Sequence, residues 1–426
     1  MSQRRTTILD NNLRVITEVV PGTRSTSIGI LVNASPQTEP SNKRGVAHLL
    51  EHAVFLGTSS RSARDISAMI DEAGGQMGAF TSRDYTCFHA HTMDDYGPYA
   101  WELLGDIFLN STFPEDALMR ERDVVLQELG MYQRDQSAKL HEILKRNIWP
   151  NHPLGREVAG TPESVCHLNR EDVIYFLGQH YLPDNMTISM TGNIDHDHAV
   201  AQATDTFWRL LGSTKPSKSL PCEFESTVTI GKSESPHAHC ALALPSEPYQ
   251  DESRYSVHTL NTILGGGMSS RLFSKLRESL GWVYDVHSSY DAYRDGGAII
   301  IEGICAAEDL MKILSHIVQE FEAIANDAVT EEELCLVKRK IMGQHQLASD
   351  SVNTRMSRIL TQDFYFDRPL DEEEISSGIS DVTCESIQKA AQKMLEPERI
   401  GISALIRNKN AIDVDQCLAL LEKQHV

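Results

Sequence analysis

A short polar stretch with two prolines, residues 212–221, falls at the midpoint of a 426-residue chain. It interrupts a regular interleaving of strand-like and helix-like patterns, which marks it as a linker. At about 150 residues per domain, this length fits two or three domains. The expected organisation is therefore residues 1–212, a linker at 213–221, and residues 222–426. In the first half, residues 14–20 and 27–32 are β-branched and apolar, as strands are. Residues 46–56, 63–73, 99–109 and 115–132 follow the helical period. Residues 79–92 read as two strands around Arg83-Asp84. The second half repeats the mixture, with strands at 226–230, 238–243 and 298–303 and helices at 255–264 and 270–279. This interleaving predicts an α+β fold of two related α/β sandwich halves, each a mainly antiparallel sheet packed with helices. The stretches from Phe55 to Arg61 and from Ile263 to Arg271 carry a faint internal likeness.

Charge narrows the classes of partner. The 39 basic and 60 acidic side chains leave a formal charge of −21. That argues against nucleic acid, whose phosphates attract basic surfaces, and it suits cationic peptides. The acidic runs Glu331-Glu332-Glu333 and Asp371-Glu372-Glu373-Glu374 would favour such peptides if they lined a substrate chamber. No run of 18 apolar residues is present, so no membrane span is expected. The N-terminal stretch lacks the continuous apolar segment of a secretory signal and reads as the first strands of a domain. The eight cysteines, Cys87, Cys166, Cys222, Cys240, Cys305, Cys335, Cys384 and Cys417, include no C-x-x-C pair. Scattered thiols of this kind are expected to be reduced, in a cytoplasmic protein.

The residues that carry chemistry begin at His48-Leu49-Leu50-Glu51-His52. Residues four apart project from one helical face, so both imidazoles can grip one metal ion. Glu51 lies on the adjacent edge, where its carboxylate can take a proton from water. The order H-x-x-E-H is the inverted zinc-peptidase signature. Without a third ligand, the same residues would be two ordinary helix histidines and a solvated glutamate. Downstream, Glu121 and Glu128 stand seven residues apart, close to two helical turns and so on nearly one face. One can complete a metal site while the other steadies a ligand.

The chain resembles the M16 (pitrilysin, or insulinase) zinc metallopeptidases. It is most similar to the half-length members typified by the catalytic subunit of mitochondrial processing peptidase. The likeness rests on GVAHLLEHAVFLGTSSRS, GAFTSRDYTCF, ERDVVLQE, HPLGREVAGTPESV, YLPDNMTISMTGNID and ILGGGMSSRLFSKLRESLGWVYDVHSS, all in family order. The resemblance implies one Zn²⁺ per chain held by His48, His52 and Glu128. It implies Glu51 as general base, Glu121 as a supporting acid, and Arg277 and Tyr284 as substrate contacts near the scissile bond. It further implies that Ala79, Phe80 and Thr81 lie on an edge strand to which substrate adds. Gly78 departs from the family's usual Asn, and Asn33-Ala34-Ser35-Pro36 departs from its usual loop. Both changes bear on substrate preference more than on zinc.

Aligning Leu264 with Leu56 sets Ser256, Thr259 and Leu260 at the positions of His48, Glu51 and His52. The second half is thus expected to be a degenerate repeat that closes over the substrate. Gly265–Gly267 lacks the Lys-Ser/Thr of a phosphate loop. The pairs His89/His91, His196/His198 and His237/His239 have no third donor near in sequence and read as strand or turn histidines. The expected function is a zinc-dependent endopeptidase of extended or unfolded peptides, of the precursor- or leader-processing kind, paired as a homodimer or with a paralogous chain. The alternative is a non-catalytic partner subunit of an assembly of the same family. The intact His48, Glu51, His52 and Glu128 favour the enzyme.

Overall fold

The computed structural model describes residues 3–214, 220–395 and 399–408. The first sheet is built from β1 (Gln3–Ile8), β2 (Arg14–Val19), β3 (Ser25–Val32), β4 (Gln76–Thr81), β5 (Thr86–Met93) and β6 (Met186–Gly192). The second is built from β7 (Thr227–Lys232), β8 (Ala238–Ser246), β9 (Val283–Ala292), β10 (Gly297–Cys305) and β11 (Gly401–Ile406). Across the first sheet the order is β1-β2-β6-β3-β5-β4, and across the second it is β7-β11-β8-β10-β9. Strand for strand, β2-β6-β3-β5-β4 and β7-β11-β8-β10-β9 are the same topology. Each has a single parallel pair, β2 with β6 and β7 with β11, among antiparallel neighbours. The expected α+β fold of two related halves is therefore present, and β1 is an addition to the first.

The chain forms two compact units, and their boundary is not one break in the sequence. Unit 1 draws on residues 1–130, 157–218 and 346–370; unit 2 draws on 131–156, 219–345 and 371–426. Each sequence half thus lends a segment to the unit built mainly by the other, a difference from the contiguous division at 213–221. Of that linker, residues 215–219 lie outside the described residues.

The exchange has a physical reason in unit 1. Seven of the eight residues of β3 are buried, so both faces of the sheet need cover. On one face, Ile28, Ile30, Phe88 and Ile188 share a core with Leu49 and Leu50 of helix Val46–Ala53. Leu103 and Leu104 of helix Gly97–Asn110 and Phe207 of helix His196–Phe207 complete it. The other face is covered by helix Val352–Phe366, which packs across β3 and β6. Gly29 permits that approach, since a Cβ there would lie 2.2 Å from Met356 Sδ. Buried ion pairs fix the helix. Arg14 Nη1 donates to Asp363 Oδ1 at 2.6 Å and Thr187 Oγ1 to Asp363 Oδ2 at 2.8 Å. Arg355 Nη1 donates to Glu18 Oε1 at 2.8 Å.

Unit 2 solves the same problem with helix Gln136–Ile148. Its Leu140, Leu144 and Ile148 pack on Ala241, Ala243, Ala298, Ile300 and Leu405. Small alanines and Gly401 let the helix lie close; a Cβ at Gly401 would meet Ile148 Cγ2 at 2.4 Å. Lys145 Nζ lies 2.5 Å from Asp291 Oδ2, and His141 lies between Asp291 and Glu302 at 3.5 and 3.3 Å. Burial alone would raise the Asp291 carboxyl, but His141 and Lys145 outweigh it and hold it well below the usual range.

Asp363→Ala should lower unfolding stability by roughly 2–4 kcal/mol, because Arg14 and Thr187 lose a buried acceptor together. The fall is read from the urea midpoint. An unchanged midpoint would mean that apolar packing alone holds the helix to the sheet.

Candidate metal centre

Helix Val46–Ala53 starts at Gly45, whose φ of 87° suits glycine. A Cβ there would sit 2.7 Å from the Ala159 carbonyl oxygen. The N-cap residue offers no side-chain bond. Glu39 acts in its place from six positions upstream, buried, accepting from the N–H of Gly45 and of Ala47, both at 2.9 Å. A carboxylate there satisfies two orphan donors and faces the positive end of the helix dipole. Val46, Ala47, Leu49, Leu50 and Ala53 are buried, which leaves His48, Glu51 and His52 on a half-buried flank. Helix Glu115–Arg134 buries Leu118, Val125 and Leu129 and presents Glu121 and Glu128 together.

The two helices meet at the candidate ligands. His48 and His52 stack edge to face with ring centroids 4.7 Å apart. Glu128 Oε2 lies 4.0 Å from His48 Nε2 and 3.6 Å from His52 Nε2. One donor atom from each of the three residues lies within 4.8 Å of the others, and this is the sole such group among the described residues. Glu121 Oε1 stands 2.9 Å from His52 Nδ1. An ionised carboxylate only accepts, so the Nδ1 proton of His52 faces Glu121, and Nε2 faces Glu128. Burial, then the neighbouring His52, push the His48 imidazole down to about 4, so it is neutral near pH 7. Three potential ligand atoms thus converge on one point, a set that a cation would satisfy. Two imidazole nitrogens and a carboxylate oxygen fit zinc.

Glu51 stands beside this group. Its Oε2 accepts a 2.7 Å hydrogen bond from Thr81 Oγ1. Burial raises its carboxyl above the ordinary value; the Thr81 hydroxyl and His52 offset part of that rise, and Glu128 adds to it. Thr81 ends β4, the outermost strand of its sheet, which also carries Ala79 and the exposed Phe80. At Gly78 a Cβ would touch His89 Cε1 at an ordinary 3.6 Å, so the backbone does not require glycine there.

In unit 2, Arg277 and Tyr284 are neighbours, the guanidinium 5.9 Å from the ring centroid. The register of β9 on β10 slips between Ile304, opposite Asp285, and Cys305, opposite Val283. Tyr284 falls in the slip, and the bulge leaves it 73% exposed. Ser256, Thr259 and Leu260 are buried in helix Arg254–Gly265, which follows β8 as helix Val46–Ala53 follows β3. Gly266 gives its carbonyl to Lys340 Nζ at 2.7 Å.

Other sequence features fall elsewhere. His91 Nδ1 lies 2.8 Å from Ser27 Oγ, and His239 Nδ1 lies 3.3 Å from Ser137 Oγ. His196 and His198 begin a helix, not a strand or turn, and His196 bridges Thr7 and Thr17 at 2.9 and 2.7 Å. The acidic runs form the first turns of helices Glu331–Ala348 and Glu372–Ser380, where the helix dipole favours negative charge. Glu333 accepts from Arg271, and Glu372 from His345. Sequence reading missed Glu39, which has no fixed-spacing capping signature, and missed the Thr81 hydroxyl as a partner of Glu51.

Fold and donor set together define a two-sheet α+β protein with a candidate metal site between two helices of its first unit. Residues 14–162 match the family described as Insulinase (Peptidase family M16), and residues 167–341 match the Peptidase M16 inactive domain. The chain is 33% identical to an uncharacterized zinc protease of Mycobacterium leprae over 94% of its own length and 91% of that protein. It is 32% identical to the uncharacterized zinc protease YmxG of Bacillus subtilis, over 90% and 94% of the two chains. The chain belongs to peptidase family M16. Its fold is shared with a peptidase M16 inactive domain from Pseudomonas fluorescens (TM-score 0.89, 20% identity, 95% and 98% coverage). It is shared equally with a protease from Helicobacter pylori (TM-score 0.87, 18% identity, 95% and 99% coverage).

Glu39→Ala should cost about 1–2 kcal/mol of stability by freeing two buried helix-start N–H groups. It should also weaken metal retention, because both histidines ride on that helix. Metal titration beside a thermal melt checks this; unaltered values in both would show that Glu39 does not set the helix.

Proposed function

We propose that this chain is a zinc-dependent endopeptidase of extended or unfolded peptides, with one ion held by His48, His52 and Glu128. The observation that carries the reading is the convergence of their three donor atoms within 4.8 Å. The zinc-protease names of the relatives support the metal. Zinc at such a site supplies Lewis acidity to a peptide carbonyl and to water.

The chain's own residues then have distinct tasks. Glu121 holds His52 through Nδ1 and orients its ring. Glu51, with Oε2 engaged by Thr81, receives the proton of a water molecule on Oε1 and returns it to the departing amine nitrogen. Burial raises its carboxyl above the ordinary value, which suits a group that must both take and give a proton. The outer edge of β4 offers Ala79, Phe80 and Thr81 to an extended backbone, which pairs there as an added strand. Arg277 and Tyr284 are read as hydrogen-bond donors to the bound peptide.

Elemental analysis should show one zinc per parent chain and strong loss in His48→Ala, His52→Ala and Glu128→Gln. Glu51→Gln should keep the metal and lower cleavage of an unstructured peptide by about 10²–10⁴-fold. Full metal retention in both histidine variants would remove the site, and normal turnover in zinc-loaded Glu51→Gln would remove the base. In the same panel, Arg277→Ala and Tyr284→Phe should slow turnover with zinc unchanged; parental rates in both would strike them from the reaction.

The same reading includes precursor or leader processing, pairing with a second copy or a paralogous chain, and a cytoplasmic setting. Cys87, Cys166, Cys240, Cys305, Cys335 and Cys384 are free thiols, which supports a reducing compartment. Sedimentation of the purified chain should give a dimer at micromolar concentration, and a strict monomer would exclude self-pairing.

A further inference from the structure

The base is not held by its own helix. Among the described residues, the one side chain that donates a hydrogen bond to Glu51 is Thr81, at 2.7 Å. The direction of that bond is set by proton count. Thr81 Oγ1 also lies 3.3 Å from Thr86 Oγ1, and Thr86 Oγ1 donates to the Ala34 carbonyl at 2.8 Å. Each hydroxyl has one proton. Thr86, wholly buried, gives its proton to Ala34, and Thr81 gives its own to the carboxylate. The two threonines are a cross-strand pair of β4 and β5, and Thr86 in turn pairs with Val32 of β3. The anchor of Glu51 is therefore seated in the sheet. Among the described residues the buried Tyr181 hydroxyl makes no hydrogen bond, so none from it competes for the carboxylate.

We propose that Thr81 is a positioning residue. Its hydroxyl fixes Glu51 Oε2, leaves Oε1 as the oxygen that takes the proton, and ties the base to the strand whose outer edge is open to substrate. The inference rests on the reading of Glu51 as general base. It differs from a substrate-strand role for Thr81, because it assigns the hydroxyl to the base rather than to the peptide.

The test uses the zinc-loaded full chain and an unstructured peptide, with Thr81→Val, Thr81→Ser, Glu51→Gln and the Glu51→Gln/Thr81→Val double variant. Valine keeps the shape and strand preference of threonine and removes only the hydroxyl. Loss of a hydrogen bond to a charged group should lower kcat about 10- to 100-fold in Thr81→Val. KM should stay within about twofold, because the loss falls on the chemical step. Zinc content and melting temperature should match the parent. Thr81→Ser should recover most of the rate, and Thr81→Val should add no loss to Glu51→Gln. Parental kcat in Thr81→Val, or an equal fall in Thr81→Ser, would overturn the proposal. Glu51→Gln separates the two readings. If it turns over normally, the base assignment fails. If it is inactive while Thr81→Val is parental, only the role of Thr81 falls.

Discussion

Each sheet has two apolar faces, and covering both is the constraint on which the rest of the architecture depends. Strands buried on both sides cannot face water without losing several kcal/mol for each large side chain exposed. In unit 1 one face takes the helices that lie between its own strands, and the second takes helix Val352–Phe366, about 160 residues beyond β6. In unit 2 the corresponding cover is helix Gln136–Ile148. Glycine and alanine appear where these helices lie closest, and buried ion pairs fix their position. The repeated strand order and the reciprocal lending of helices are two aspects of one duplicated design.

At the candidate metal site, the fold gathers polar groups that water would otherwise keep apart. His48, His52, Glu128 and the nearby Glu51 share one half-buried corner. Packing supplies the compulsion. The apolar residues of helix Val46–Ala53 are committed to the core, Glu39 pins its first turn, and Leu118, Val125 and Leu129 commit the helix that carries Glu128. The polar residues left over have one place to go. Held together by packing, they form the kind of preorganised donor set that a cation site would need.

What was legible in the sequence was what has a period or a fixed spacing. Strands 14–19, 25–32 and 238–246 were readable as short apolar, β-branched runs, and the helices carrying His48 and Glu128 by their 3.6-residue period. The three ligand candidates were readable because four- and seven-residue spacings place side chains on one helical face. Glu39 and Thr81 obey no spacing rule; they reach the site through a loop and a sheet edge. The lending of 131–156 and 346–370 was hidden for the same reason, since an amphipathic helix records that it has a partner but not which one. His196 misled because its alternation with His198 resembles a strand, whereas Asp195 caps a helix that begins at His196.

The strand that anchors Glu51 has a further property. Sheet edges in soluble proteins are ordinarily guarded by charge, bulges or proline, since bare backbone donors and acceptors invite any passing strand. β9, the edge of the second sheet, carries Asp285, Asp291 and a bulge, and β1 carries Arg4 and Arg5. β4 reads Gln-Met-Gly-Ala-Phe-Thr, with no charge, no proline and an exposed Phe80. An edge left sticky in this way does not distinguish a peptide from the β4 of another molecule. If β4 is where substrate adds, as proposed, access and freedom from aggregation draw on the same row of backbone groups, and at high protein concentration this chain would compete with its own substrate.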